Sequence, residues 1–458
     1  VSVSIHTPFT SSGLVTRSNA VQVPSVAAAF SSAPCVAATA SLPRTSKQDD
    51  SSDKVTVLAI RDRFPIFDQM PDTVFLDNAS TTHKPDSVIQ VFDTFYRRDC
   101  SNAGRAIYPS SMRAAQKIEK ARHDVARLIG AHAREIAFTS GATDSFNTVA
   151  WSWGLTNLKD GDEILFCPQD HRSAILPWQN LQSVLAGMGK NITLVPFGIH
   201  AVGDYDFRDL RNALTERTRV IALSHIHHVF GVDMEISDIR KIVGADVVMS
   251  LDASQSVGHI KVDVNELDVD FLSFSGHKMF AGNGVGILFA KSDRHHEMIP
   301  FRCGGQSASI DAEVDEHMRA AFIDKVESGT ANIPAVVSMS AAIEFIESVG
   351  LANIEAHVSS LTEHLVASLS ELTGIVFSPG PVTCGCPGGF GILSFRFEQA
   401  QSLDIASALA DERINVRSGL HCRADDGNAE DYIRVSLHAY NDARDVQILS
   451  DSLRLMLS

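Results

Sequence analysis

The sequence predicts an α/β protein, with a large domain on a mostly parallel sheet followed by a smaller α+β domain. Three observations predict it. From about residue 111 onward, short apolar runs bounded by turn residues alternate with helical patterns. Apolar strands that alternate with helices imply a parallel sheet covered on both faces. After about Asn332 the pattern changes to long helices and a few separated strands, and the 458-residue length suits one large core and one smaller one. The expected division is residues 1–54 as leader and linker, 55–331 as the large domain with its N-terminal segment, and 332–458 as the small domain.

The leader comes first. Residues 1–48 contain no Asp or Glu, three Lys or Arg residues, and many Ser, Ala, Thr and Val. That composition cannot easily pack a core and matches either an organelle transit peptide or a disordered tail. The acidic stretch "DDSSDK" then marks a linker, and folding is expected to begin near Val55.

The stretch "SSMRAAQKIEKARHDVARLIG" places Ala114, Ile118, Ala121, Val125 and Leu128 at helical spacing, and Gly130 stands where a C-terminal stop belongs. Seven strands are expected next, in "EIAFTSG", "DEILFC", "NITLVPF", "RVIALSH", "DVVMSLD", "DFLSFSG" and "GVGILFA", with helices such as "MEISDIRKIVG" between some of them. In the second part, "IPAVVSMSAAIEFIESVG" and the segment after it are helical. The strand "GILSFRFE", the helix "DIASALADERI" and the strand "DYIRVSLHAYN" complete it.

Bulk properties exclude some functions. The net charge of −16 argues against broad affinity for nucleic acid or an anionic membrane surface. No uninterrupted apolar run approaches the roughly 20 residues that span a bilayer. Seven cysteines, odd in number and widely spread, read as reduced thiols and not as a disulfide framework.

In parallel sheets ligands gather beyond the carboxyl ends of the strands, so the residues after each run are the ones to examine. In "SGATDS" a glycine turn leads into a helix with Thr143 near its start, which suits either a bound phosphate or an ordinary N-cap. Asp252 closes its strand and either caps a turn or holds a cationic ring nitrogen. His171 is either a satisfied surface histidine or a flat ring stacked on a planar cofactor. Lys278 ends "SFSGHK" as either a solvated strand end or a reactive amine. Taken together, a Schiff-base lysine, a carboxylate for a protonated pyridine and a phosphate cup are the three requirements of pyridoxal 5'-phosphate. Ser275 and His277 beside the lysine add donors for the same phosphate.

The stretches "LDNASTTHKP", "FTSGATDSFN", "LDASQSVGH", "SFSGHKMFAGNGVGILFA", "ESGTAN" and "VRSGLHC" resemble the class V aminotransferase superfamily of fold-type I pyridoxal-phosphate enzymes. Within it they look most like the cysteine desulfurases of the SufS-type (group II) branch. The resemblance runs from about Phe75 to the C-terminus. It implies that Lys278 carries the cofactor, that Asp252 pairs with the pyridine nitrogen, that Gln255 lies near the ring hydroxyl and that His171 stacks on the ring. It assigns the phosphate to Ala142, Thr143, Ser275 and His277, with Thr330 reaching the phosphate of a neighbouring subunit in a homodimer. Arg434 is implied as the clamp on the substrate carboxylate, a task a bidentate guanidinium suits.

The superfamily holds several reactions, so the cofactor alone does not settle the chemistry. The discriminating stretch is "NVRSGLHCRADDG", where Cys422 falls at the nucleophile position of the group II desulfurases. A thiolate is the attacking form, and Arg417, Arg423 and His421 are the expected sources of positive charge, opposed by Asp425 and Asp426. The implied reaction converts L-cysteine to L-alanine, leaves a persulfide on Cys422 and passes its sulfur to a SufE- or SufU-like acceptor for iron–sulfur assembly. The Ser-rich leader then points to the plastid stroma, with the mitochondrion as the alternative.

Departures from the branch bear on the substrate. "HIHH" places His228 where the family has Asn, beside the cofactor hydroxyl or substrate. Gly104 in "NAGRAIY" and Arg172 in "DHRSA" each replace a histidine, and the span between Cys422 and Arg434 is a few residues short. Selenocysteine, cystine or a larger amino acid stay open as substrates. So do a C–S lyase, an aminotransferase or epimerase, and a non-catalytic relative that binds the cofactor. A metal site at His225 and His227 is not expected, because no Cys or carboxylate lies suitably near. "CGC" at 384–386 reads as structural or incidental, and "GNGVG" precedes a strand, which argues against a dinucleotide motif.

Overall fold

The computed structural model describes residues 60–103, 106–305, 320–384, 389–423 and 430–457. The leader (1–54), Gly104, the "CGC" pair beyond Cys384, Asp425 and Asp426 lie outside the described residues.

After the short strand β1 (Val74–Phe75), every one of the seven expected runs forms a strand. These are β2 (Ile136–Thr139), β3 (Glu163–Phe166), β4 (Thr193–Pro196), β5 (Thr218–Ser224), β6 (Val248–Asp252), β7 (Phe271–Ser275) and β8 (Gly286–Ala290). They make one seven-stranded sheet in the order β2-β8-β7-β6-β5-β3-β4. Strands β3 to β7 are parallel, and β8 runs antiparallel to both β7 and β2.

Successive side chains on these strands enter opposite cores, as a two-residue period requires. Ile221, Leu223, Leu272 and Phe274 join Ala121 and Val125 of helix Pro109–Leu128 and Ile239 of helix Ile236–Val243 on one face. Val220, Ala222 and Phe271 meet Trp178, Leu181 and Leu185 of helix Arg172–Gly187 on the other. Burial on both faces is why the strands read as continuous apolar runs. Gly130 ends the first helix at φ 72°, and a Cβ there would come within 2.7 Å of the Asp263 carboxylate.

The second sheet has the order β12-β13-β10-β9 and is antiparallel throughout, from β9 (Ile375–Phe377), β10 (Ile392–Phe397), β12 (Arg417–Gly419) and β13 (Tyr432–Ser436). Leu361, Leu365 and Leu369 of helix Leu351–Ser370 and Val446, Leu449 and Leu453 of helix Ala443–Leu457 pack against it. Helix Ile333–Val349, which opens the expected small domain, buries Ala335, Met339 and Ile343 in the core of the large sheet. The strand β11 (Ile414–Asn415) pairs in parallel with β1. Val74 and Leu76 thereby join the second core.

Candidate active site

One cavity of about 230 Å³ opens at the carboxyl ends of the parallel strands. It is lined by Ala142, Thr143, His171, His228, Asp252, Gln255, Ser275, His277, Lys278, Cys422 and Arg434. Of the predicted cofactor, substrate and nucleophile residues, Thr330 is the one outside this lining. It is exposed, and its hydroxyl accepts from Asn102 Nδ2 at 3.3 Å.

Lys278 stands at the end of a single helical turn, Gly276–Lys278, that follows β7. Burial lowers its amine to about 8, with Arg434 and Arg417 adding to the effect against Asp252 and Cys422. A buried amine with a depressed pKa is the state a Schiff-base lysine needs. The carboxylate of Asp252, at the end of β6, accepts from the Ser254 amide at 2.9 Å. Gln255 donates one N–H to the Ala79 carbonyl at 2.8 Å, which fixes the side chain and leaves its oxygen and second N–H for a ligand hydroxyl.

The phosphate end is built from two segments. Helix Ala142–Thr148 begins here without a side-chain cap, and the Ala142 amide donates to Ser275 Oγ at 2.9 Å. Thr143 and Ser173 hydroxyls pair at 2.9 Å. Gly286 lets β8 pass close beneath the turn, because a Cβ there would lie 2.4 Å from the Gly141 backbone. His277 is held near 4 by burial and by the cations Lys278 and Lys84, so it meets a ligand as a neutral ring.

His171 accepts from the Ser173 amide through Nδ1 at 3.2 Å, which places its proton on Nε2. Burial first, then Lys278, pushes its pKa down to about 4. Its ring stands edge-on to His228 at 5.1 Å. Burial, followed by His227 and His171, holds His228 well below the usual imidazole range. His228 Nε2 contacts the His421 carbonyl at 2.9 Å, and Nδ1 is buried without a partner.

Arg434, on β13, is buried. It donates to the His228 carbonyl at 2.9 Å, Asp77 Oδ1 at 3.1 Å and Ser80 Oγ at 2.9 Å, while its Nε is unpaired. Ser80 Oγ also accepts from Arg417 at 2.7 Å. One hydroxyl thus aligns two guanidinium groups. Ser80 and Asp77 were not predicted as site residues. Their only sequence signal is their place in "LDNASTT", directly after β1.

Cys422 is an exposed free thiol at the cavity edge, with Sγ 3.7 Å from Arg417 Nη2. Two of its expected charge sources are corrected. His421 is pushed down to about 3 by burial and by Arg434, so it is neutral, and it contacts the Tyr432 carbonyl at 2.9 Å. Arg423 turns its guanidinium over the Tyr432 ring and donates to the Glu430 carbonyl at 2.6 Å. Arg417 alone of the three faces the thiol. His421 (φ 53°) and Cys422 (φ 60°) both occupy the left-handed region, which costs on the order of 1 kcal/mol or more for each non-glycine residue.

The donor set fits pyridoxal phosphate by its chemistry. A low-pKa amine, a carboxylate, and a cup of amide, hydroxyl and neutral imidazole line one cavity. The arrangement can capture an aldehyde, stabilise a protonated pyridine, hold a phosphate and bring a thiol to the bound substrate.

Comparison with known proteins agrees. Residues 74–449 match the aminotransferase class-V family. A probable cysteine desulfurase of Halalkalibacterium halodurans is 34% identical over 403 residues, covering 86% of this chain and 96% of that protein. One from Staphylococcus aureus is 31% identical over 399 residues, covering 85% and 94%. Among solved structures, the apo cysteine desulfurase of Thermococcus onnurineus NA1 superposes with a TM-score of 0.78 at 28% identity, over 87% of this chain and 97% of its own. The cysteine desulfurase CsdA of Escherichia coli gives 0.78 at 27% identity, over 88% and 99%.

Proposed function

The chain belongs to the aminotransferase class-V family, and from that premise we propose that it is a pyridoxal-phosphate-dependent cysteine desulfurase, converting L-cysteine to L-alanine with the sulfur carried as a persulfide on Cys422. The observation that carries this reading is a free thiol beside Arg417 on the same cavity as Lys278 and Arg434.

Bound pyridoxal phosphate supplies an aldehyde that captures amines and a ring that draws electrons from the substrate's Cα. Lys278 would hold it covalently, Asp252 would face its ring nitrogen, and Gln255 would lie near its hydroxyl. His171 would lie against the ring, and Ala142, Thr143, Ser275 and His277 would take the phosphate. Arg434, held in place by Asp77, Ser80 and the His228 carbonyl, would orient the substrate carboxylate. The Lys278 amine, near 8, is unprotonated often enough at neutral pH to take the α-proton. The Cys422 thiolate attacks the substrate sulfur. An S–S bond forms as the Cβ–S bond breaks, the released electron pair with a proton completes the methyl group, and Lys278 returns the α-proton to Cα to give alanine. A thiol reductant then removes the sulfur as sulfide.

The test supplies purified protein with pyridoxal phosphate, L-cysteine and a thiol reductant, and measures both products. Equal alanine and sulfide are expected, with Cys422→Ala abolishing sulfide while the yellow colour of the bound cofactor persists. Pyruvate in place of alanine would mark a C–S lyase, alanine formed without dependence on Cys422 would remove that thiol from the reaction, and the absence of both products would overturn the reading.

The finer identity follows the same line. The "VRSGLHC" stretch supports the SufS-type branch, with a SufE- or SufU-like protein as sulfur acceptor for iron–sulfur assembly. The exposure of Thr330, away from the cavity of its own chain, suits a homodimer in which it reaches a second subunit's phosphate. Sedimentation of the purified protein tests the dimer. The acid-free leader supports a plastid address, with the mitochondrion as the alternative. Imaging a fluorescent fusion of residues 1–54 separates the two.

A further inference from the structure

Among the described residues, three consecutive backbone carbonyls around the thiol are held by two residues, His228 and Arg172. His228 Nε2 meets the His421 carbonyl at 2.9 Å. The Arg172 amide donates to the Cys422 carbonyl at 2.9 Å, and Arg172 Nε donates to the Arg423 carbonyl at 2.6 Å. His171 and Arg423 form an isolated antiparallel bridge across the same junction. We propose that Arg172 and His228 act as a carbonyl clamp that fixes the backbone of residues 421–423, and that both are positioning residues for the Cys422 thiol.

The backbone itself calls for such a device. His421 and Cys422 are adjacent non-glycine residues in the left-handed region, and a conformation of that kind persists only where its surroundings over-determine it. Among the described residues the segment's other contacts come mostly from side chains. The Arg423 amide donates to the Leu420 carbonyl at 3.2 Å, His421 Nε2 contacts the Tyr432 carbonyl at 2.9 Å, Arg423 Nη2 donates to the Glu430 carbonyl at 2.6 Å, and Arg417 approaches Cys422 Sγ at 3.7 Å. The contacts to the carbonyls of residues 421–423 come from Arg172 and His228.

The tautomer of His228 agrees with a donor role. Nδ1 is buried with no partner, and Nε2 faces a carbonyl, which can only accept, so the proton sits on Nε2. The carbonyl of His228 accepts from Arg434 Nη1 at 2.9 Å. One residue therefore registers the thiol loop against the guanidinium that orients the substrate. Both clamp positions depart from the family pattern in the sequence, and both side chains are spent on this loop.

The inference rests on Cys422 being the attacking thiol, but its test begins on cofactor-free protein. Arg172→Met and His228→Leu each remove a donor, while Arg172→Gln and His228→Gln keep a nitrogen donor at the same distance along the side chain. Arg172 is exposed, so its variants keep the fold even if His228→Leu does not. Hydrogen exchange is read at the amides of residues 172 and 423. Exchange is expected to rise about tenfold in the Met and Leu variants, the scale of one lost hydrogen bond, and to stay near wild type in both Gln variants. With cofactor and L-cysteine, kcat for sulfide release should fall about tenfold in Arg172→Met while KM stays within about twofold.

Unchanged exchange in Arg172→Met, Gln variants as damaged as the donor-free ones, or a loss confined to KM would each overturn the clamp. Exchange that follows these expectations in a protein releasing neither alanine nor sulfide would keep the clamp and sink the desulfurase reading.

Discussion

Lys278 owes its reactivity to where β7 ends. Its pKa, near 8, predicts that the rate of pyridoxal-phosphate capture by cofactor-free protein rises with pH and levels off just above 8. A solvated lysine would level off above 10. Stopped-flow absorbance across pH reads this directly. Ser80 carries a second prediction. Its hydroxyl accepts from both Arg417 and Arg434, so Ser80→Ala should raise KM for L-cysteine by about tenfold through loss of Arg434 alignment. Steady-state kinetics check it. The chemically distinctive residues Lys278, Asp252, His171, Cys422 and Arg434 were legible because each sits at a strand end or in a dense motif. Ser80 and Asp77 were not, since their partner Arg434 lies at the far end of the chain and only tertiary packing joins them. The charge expected of His421 failed for another reason. Sequence proximity to a thiol says nothing about burial, and burial keeps that imidazole neutral.

At the scale of the element, the strands were legible because burial on both faces leaves runs such as Val220 to Leu223 without a polar break. The pairing of β1 with β11 was not legible, because two-residue strands carry no periodic signal. The approach of β8 to the phosphate turn gives this scale its test. A methyl group at Gly286 would meet the backbone of Gly141 at 2.4 Å, and Gly141 caps the start of helix Ala142–Thr148, so relieving the clash moves that start. Gly286→Ala is expected to destabilise the protein by about 1–3 kcal/mol, as overpacking does, and to weaken pyridoxal-phosphate binding. Denaturant midpoints and cofactor titration measure the two effects.

Across the whole molecule, burial keeps several histidines neutral, His171 and His421 on the cavity wall and His227 and His259 outside its lining. Burial depresses His171 and His259 to about 4 and His227 and His421 to about 3. Each binds a proton more readily when unfolded, near 6.5, than when folded. Their contribution to stability is therefore complete above about pH 6.5 and is lost as pH falls toward 4 and 3. Denaturant midpoints should decline steadily over that window in the cofactor-free protein, and a flat profile would contradict the burial. The fold class and most of the cavity were readable from strand ends alone, because an α/β sheet gathers its ligands at one edge. The loop that carries the thiol was readable only as a motif, since its geometry depends on Arg172 and His228 from distant segments. The most direct measurement is the mass of the Cys422 peptide after L-cysteine turnover with pyridoxal phosphate and no reductant. One added sulfur atom on that peptide, with alanine formed alongside, is the expected result. Alanine accompanied by an unmodified Cys422 peptide would contradict the proposed sulfur transfer.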